Sequence, residues 1–494
     1  MTPPLRVTDA IDLVPADAGI VLVCGAAADD PRLRVLTARN PQRLVIDAAA
    51  PHPLVVEACL CLAPPEAIDA QLAALRFRLA PGGVWVAAVD ARPDPAFPGE
   101  TVEARLARYG RALAAIGWSV VDTLASSDAA GPHGPVWTLR AVAAPAPPAE
   151  CAVAALGLRR QAGVTEARID YPMRTLATRP GVRALWSAGP LDLPRSFPPG
   201  ILLLHRQFVE GEAFVSHLER MVARGWVLVN EFDDNPDHWK QFARSRYRGF
   251  RGVHAVCTTT PHLAEKLSRW NPNVAAFPNA IFELPDPPAA PRPRDGPLRV
   301  FFGALNRQKD WAEVEPSILE ALPDLVGQIE FVVVHDAEVH ARIAAAAPAH
   351  FLPTLDHAAY LEALSGCDVA LMPLADTPFN RAKSDLKLIE ACATGAVPIC
   401  SEVVYGVDPA HRDLALFPDG PQGWGAALKQ AAADRDHLAV LRARGAAYVR
   451  RYRMHSGQLA AREAWFRALI AGRDALEAQR QERLAALARE SGAP

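Results

Sequence analysis

Short apolar runs recur along the whole chain, with longer amphipathic stretches between them. Ile20–Cys24, Leu44–Ile46, Val84–Val89, Ile201–Leu204, Val227–Val229, Val253–Cys257, Val300–Phe302, Phe331–Val334, Val369–Met372 and Val397–Cys400 each read as a strand. The runs are continuous rather than alternating, the pattern of strands covered on both faces. Leu263–Trp270 and Tyr360–Leu364 carry helical spacing. Buried strands alternating with helices predict parallel, doubly wound α/β sheets. From about Ser456 to Glu490 the pattern becomes one long helix. Leu459, Phe466, Leu469, Leu476, Leu484 and Leu487 form its apolar stripe among arginines and glutamates.

Two proline clusters interrupt this alternation, Ala144–Pro148 and Pro285–Pro297, and neither can continue a helix or a central strand. They predict three domains over 1–144, 149–284 and 298–494, which suits 494 residues. Half the residues are apolar and 22% are charged, an ordinary globular composition. A net charge of −3 leaves no electrostatic footprint for nucleic acid. No apolar run approaches the ~20 residues of a membrane span, and the N-terminus shows no signal-peptide pattern. These features point to a cytoplasmic location. Eight scattered cysteines form no CxxC pair and read as buried thiols in a reducing compartment. Only six lysines stand against 46 arginines, and three of them, Lys309, Lys383 and Lys387, fall in the segments that carry candidate chemistry.

In the third segment, Val300–Gly303 reads as a strand ending in a glycine turn, and Asn306-Arg307-Gln308-Lys309-Asp310-Trp311 opens a helix. A glycine turn with cations at a strand's C-terminal end is where open α/β sheets bind phosphorylated ligands. Arg307 and Lys309 would neutralise phosphate charge there; two solvated residues at a helix start are the alternative. After the strand Asp368–Leu374, Lys383-Ser384-Asp385-Leu386-Lys387-Leu388-Ile389-Glu390 opens a helix with Ser384 as expected N-cap. Free amides near Ser384–Leu386 form an anion site. Glu390, two turns in, suits hydrogen bonds to ribose hydroxyls, with a solvent-facing helix residue as the alternative.

That block, closed by Gly395 and Val397-Pro398, resembles the donor-site signature of GT-B glycosyltransferases. More narrowly, it is similar to the retaining family that includes bacterial lipopolysaccharide and O-antigen sugar transferases, over about residues 150–470. The resemblance implies that Gly303, Arg307 and Lys309 bind the nucleotide diphosphate, with Arg307 and Lys309 as the catalytic cations. It implies that Glu390 binds the ribose and that the helix start around Ser384, Asp385 and Lys387 binds phosphate. Phe351-Leu352-Pro353 and Tyr360 lie where such proteins wall the base; ordinary core is the alternative for each. Many members carry a further glutamate eight residues before the second; here that position is Ala382, which leaves the donor sugar undetermined.

The middle segment strengthens the resemblance with Glu231-Phe232-Asp233-Asp234, Thr260-Pro261-His262-Leu263 and Pro278-Asn279. His205 and Arg206 follow a strand, where they would touch the acceptor or the leaving diphosphate, or serve structure alone. Asp233 and Asp234 read as loop aspartates near an interdomain cleft. Two adjacent carboxylates are too few for a metal site, so no metal is expected.

In the first segment, Gly19–Gly25 followed by three alanines resembles the first strand and loop of a class I methyltransferase, and Leu79–Val86 its late strand turn. The resemblance covers about residues 10–142. A working S-adenosylmethionine loop needs several glycines; here Gly25 stands alone, with Asp47 as a candidate ribose-binding acid. The domain reads as degenerate, a docking or stabilising module.

The expected architecture is therefore three Rossmann-like doubly wound α/β domains, the last two forming a GT-B glycosyltransferase, with a long C-terminal helix. The resemblance implies transfer of a sugar from a UDP- or GDP-linked donor to a glycan, lipid-linked glycan or protein acceptor, in bacterial surface polysaccharide or glycoconjugate synthesis. No tightly bound cofactor and no nucleic-acid partner are expected. The arginine-rich tail leaves room for peripheral contact with the inner membrane face. Two other readings stand beside this one: a bifunctional methyltransferase-glycosyltransferase, and a non-catalytic nucleotide-sugar-binding scaffold.

Overall fold

The computed structural model describes residues 10–492 apart from 27–28, 48–55, 63–67, 69–71, 73–78, 90–96, 126–135, 144–150, 158–159, 189–192, 194–196, 286–295 and 304–306. The linker Ala144–Pro148, most of Pro285–Pro297 and the loop residue Asn306 lie outside the described residues.

Three sheets follow one another along the chain. The first holds β1 (Ile20–Cys24), β2 (Leu44–Asp47), β3 (Val56–Cys61), β4 (Leu79–Val89), β5 (Trp118–Ala125) and β6 (Trp137–Ala143). Its order is β2-β1-β3-β4-β6-β5, parallel except for β6, which runs antiparallel to both neighbours. The second holds β7 (Cys151–Gly157), β8 (Val182–Ser187), β9 (Ile201–His205), β10 (Val227–Glu231), β11 (Ala255–Thr258) and β12 (Val274–Ala276), in the order β8-β7-β9-β10-β11-β12. The third holds β13 (Leu298–Gly303), β14 (Ile329–Val334), β15 (Ala349–Leu352), β16 (Val369–Met372) and β17 (Val397–Cys400), in the order β15-β14-β13-β16-β17. The last two sheets are wholly parallel, and their orders are the two common doubly wound ones. The α/β class read from the apolar runs is what the chain adopts.

Each sheet is buried on both faces. Val300, Phe302, Phe331 and Val369 pack with Trp311 and Ile318 of the helix Gln308–Ala321 on one face of the third sheet. Phe301, Val332, Ala370 and Cys400 pack with Leu388 and Ile389 on the other. All eight cysteines are free and buried.

The tail differs from the single helix expected. It breaks at Gly472 into His455–Ala471 and Arg473–Gly492. Leu459, Phe466, Leu469 and Leu476 join the core of the second sheet, so the tail returns to the middle domain. Arg480, 1% exposed, pairs with Glu219 at 2.7 Å, and Arg251 pairs with Glu490 at 2.6 Å. No helix among the described residues is long and apolar enough to cross a membrane.

The first domain is fastened to both others. Arg140 donates to the carbonyls of Ala177 and Thr178, and Arg179 pairs with Asp17 at 3.0 Å. The Leu284 amide donates to Ala38 O at 3.0 Å, and Gln42 reaches Arg450 O at 3.2 Å.

Candidate functional site between the second and third domains

In a doubly wound sheet the strand order reverses at one point, and the loops there diverge to leave a crevice at the strand C-termini. In the second sheet the reversal falls between β7 and β9; in the third, between β13 and β16. The crevices face one another. A cleft of about 250 Å³ is lined by Ala162, Gly163 and Val164, which follow β7, and by Gly303, Arg307, His335, His357, Tyr360, Lys387 and Glu390 of the third domain. Two of the non-glycine residues with positive φ sit directly after strands here, Arg206 at 55° and His335 at 78°. Such strained backbone gathers at functional sites.

The cationic side of the cleft is held rigidly. Arg307 donates from Nη1 to Asp310 Oδ2 at 2.9 Å and to Asn380 Oδ1 at 3.0 Å. Asp310, 5% exposed, also accepts from Asn380 Nδ2 at 2.7 Å and the Ala375 amide at 2.9 Å. Lys387 Nζ donates to Gly303 O at 3.0 Å and to the Tyr360 hydroxyl at 3.1 Å. Burial lowers the pKa of this ammonium, with Glu390 opposing that shift. Gly303 has no room for a side chain: a Cβ there would lie 2.6 Å from the Phe301 ring and 3.1 Å from Tyr360.

Lys309 stands exposed on the first turn of its helix and does not line the cleft. The N-cap of Leu386–Thr394 is Asp385, not Ser384 as expected, and no side chain among the described residues caps the helix. Both side chains are drawn elsewhere. Asn279 Nδ2 donates to Ser384 Oγ at 2.7 Å, and Asp385 accepts from Arg453 at 2.8 Å. Among the described residues, no side chain therefore meets the first-turn amides of this helix. Glu390 is 4% exposed rather than solvent-facing, and His357 Nε2 lies 2.8 Å from its Oε1. Of the residues expected to wall a base, Tyr360 lines the cleft, whereas Phe351, Leu352 and Pro353 do not.

The middle domain meets this wall with a polar segment. Arg206 Nε donates to Asp233 Oδ1 at 2.6 Å and its Nη1 to Gln161 Oε1 at 2.7 Å, which bridges the two strands of the reversal. Burial disfavours charge on Asp233, but Arg206 and His205 outweigh it and hold this acid well below the ordinary carboxylate range. Asp234 turns the other way and pairs with Lys383 of the third domain at 3.0 Å. His205 is 2% exposed with Nε2 3.3 Å from Glu231 Oε2, so it lies beneath the cleft and is unavailable to an acceptor as it stands.

His205, Glu231 and Asp233 are the one group among the described residues compact enough to hold a metal ion. Guanidinium groups bond one oxygen of each of its carboxylates, whereas His205 Nε2 and Glu231 Oε2 are buried without a hydrogen-bond partner among the described residues. Arg168, fully buried, donates to Glu231 Oε1 at 2.6 Å, and Arg206 to Asp233 at the same distance.

No protein-family model matches the sequence, and no curated protein matches it. Among solved structures, the chain is similar to a sucrose-phosphate synthase from Thermosynechococcus elongatus, at 14% identity and a TM-score of 0.48, over 65% of this chain and 100% of that one. It is similar to WaaG, a glycosyltransferase involved in lipopolysaccharide biosynthesis, at 13% identity and 0.45, over 63% and 98%. It is also similar to Anabaena HepE in complex with UDP and glucose, at 13% identity and 0.43, over 64% and 98%.

Proposed function

We propose that the second and third domains form a GT-B glycosyltransferase that moves a sugar from a UDP- or GDP-linked donor to a glycan, lipid-linked glycan or protein acceptor. The observation that carries the reading is the meeting of two strand-order reversals on one cleft that holds Arg307, Lys387, an uncapped helix start and Glu390. Two cations and free amides match a diphosphate in charge and in hydrogen-bond sense. A carboxylate one helical turn beyond Lys387 matches ribose hydroxyls. In sugar transfer the leaving diphosphate gains negative charge, so preorganised cations stabilise the transition state more than the ground state. Arg307, braced by Asp310 and Asn380, is the first catalytic group on this account. Lys387 touches the same turn, and Lys309 adds positive field from outside the cleft.

A retaining course and a place in bacterial surface polysaccharide or glycoconjugate synthesis belong to the same proposal. So does work in the cytoplasm or at the inner membrane face. Arg206, Asp233 and Asp234 would present the acceptor side. The methyltransferase-like first domain would serve as a docking module. Its loop has one exposed glycine, Gly25, and Asp30 there caps the next helix.

The test is turnover. Purified chain is incubated with UDP- and GDP-sugars and candidate acceptors, and release of the nucleoside diphosphate is followed. Release that Arg307→Ala reduces by about 100-fold supports the proposal. Tight binding of a nucleotide sugar with no release under any acceptor would favour a binding scaffold instead.

A further inference from the structure

His357 lies between two groups from different domains. Its Nε2 is 2.8 Å from Glu390 Oε1, and its Nδ1 is 3.2 Å from the hydroxyl of Tyr171. His357 and Glu390 belong to helices of the third domain, whereas Tyr171 begins a helix of the middle domain. The order of protons follows from the partners. An ionised carboxylate only accepts, so Nε2 carries a hydrogen and donates it. In the neutral ring Nδ1 then accepts from the Tyr171 O–H. Tyr171 is fixed in turn: its ring stacks on Phe282 at 4.9 Å, in the segment that leaves the middle domain. Glu166, Lys387, Glu390 and Tyr171 are the titratable groups that face the imidazole. Among the described residues, no hydrogen bond holds the second oxygen of Glu390.

We propose that His357 and Tyr171 are positioning residues for Glu390: they clamp one carboxylate oxygen, leave the other for the ribose, and so make donor binding depend on the middle domain being seated. The proposal rests on the reading of the cleft as a ribonucleotide site. A carboxylate fixed in advance loses less freedom when the ribose arrives, and the difference appears as affinity. The Tyr171 hydroxyl carries that order across the domain boundary, so loosening the middle domain loosens the ribose contact.

The experiment compares two ligands on four proteins. UDP, GDP and ADP are titrated calorimetrically onto the full chain, and the tightest is compared with its 2′,3′-dideoxy form. The wild type should prefer the ribonucleotide. His357→Leu should bind the ribonucleotide about 10-fold more weakly while its affinity for the dideoxy form stays within about twofold. Tyr171→Phe should show a smaller loss of the same kind, about threefold. His357→Gln, which keeps a donor toward Glu390, should recover most of the preference and provides the result if the leucine variant misfolds. A merely structural role would weaken both ligands equally, and that outcome, or no change in any variant, overturns the relay alone. Failure of the wild type to bind any nucleoside diphosphate overturns the cleft reading and the relay together.

Discussion

Replacing Arg168 should reveal how the floor of the cleft is held. Arg168 is 1% exposed and Glu231 0%. The guanidinium makes four donations: to Glu231 Oε1 at 2.6 Å, Phe277 O at 3.0 Å, Asn279 Oδ1 at 2.8 Å and Thr258 O at 3.2 Å. Arg168→Met has similar length and no charge. It leaves the buried Glu231 carboxylate without its guanidinium, with His205 Nε2 3.3 Å from Oε2. Breaking a buried pair on one side costs about 3–5 kcal/mol. For a domain of this size, each kcal/mol moves the melting midpoint by roughly 2–4 °C, so a fall of roughly 6–20 °C is expected. Arg168→Met with Glu231→Leu removes both charges and should recover about half of the loss. The recovery stays partial because Phe277 O and Asn279 Oδ1 still lose the guanidinium donor, whereas Thr258 O keeps the Phe277 amide. The assay is thermal unfolding of the full chain by calorimetry, with the middle-domain transition followed. A fall below about 3 °C for the single variant would contradict the reasoning. So would a double variant no more stable than the single one.

Three further outcomes follow from the same geometry. Burial opposes charge on the His357 ring, but Glu390 outweighs it and raises its pKa. A raised folded-state value means stability fully present below the free-histidine pKa of about 6.5 and lost as pH rises through the folded value. The thermal deficit of His357→Gln relative to wild type should therefore be larger at about pH 5.5 than at about pH 8.5; an equal deficit at both would contradict the pairing. Gly303→Ala would drive a methyl into the buried Phe301 ring and should cost about 1–3 kcal/mol in denaturant unfolding while weakening nucleoside diphosphate binding. Burial pushes the Cys151 thiol up to about 11 and the Cys257 and Cys392 thiols to about 12, so native protein should resist a thiol-disulfide reagent that labels all eight cysteines in denaturant.

The sequence made the central strands legible because they are continuous apolar runs. It hid the strands that lack that signal. β7 reads Cys-Ala-Val-Ala-Ala-Leu-Gly, mostly small residues, and β8 carries Arg183. β12 and β15 have only three and four residues and are not fully buried. The tail stripe was continuous in pattern, yet Gly472 ends one helix there, a break that spacing of leucines cannot register. At the candidate site, local motifs identified Gly303, Arg307, Lys387 and Glu390. The motif at Ser384 misled by one residue, because its hydroxyl bonds Asn279 across the domain boundary. The apolar run before it puts His205 at the right strand end, but the side chain turns inward toward its cross-strand neighbour Glu231. No local motif marks His357, Tyr171 or Arg168. Each acts on a partner distant in sequence, 33 residues for His357 and Glu390 and 63 for Arg168 and Glu231, and no local spacing encodes that.

The measurement that bears most directly on the central claim is thermal shift of the full chain against UDP-, GDP-, ADP- and dTDP-sugars, with S-adenosylmethionine alongside, on wild type, Arg307→Ala and Glu390→Ala. A nucleotide sugar at 100 times its dissociation constant should stabilise the wild type by about 2.7 kcal/mol, and both variants should lose that shift. Stabilisation by S-adenosylmethionine alone, or a nucleotide-sugar shift that both variants retain in full, would contradict the account.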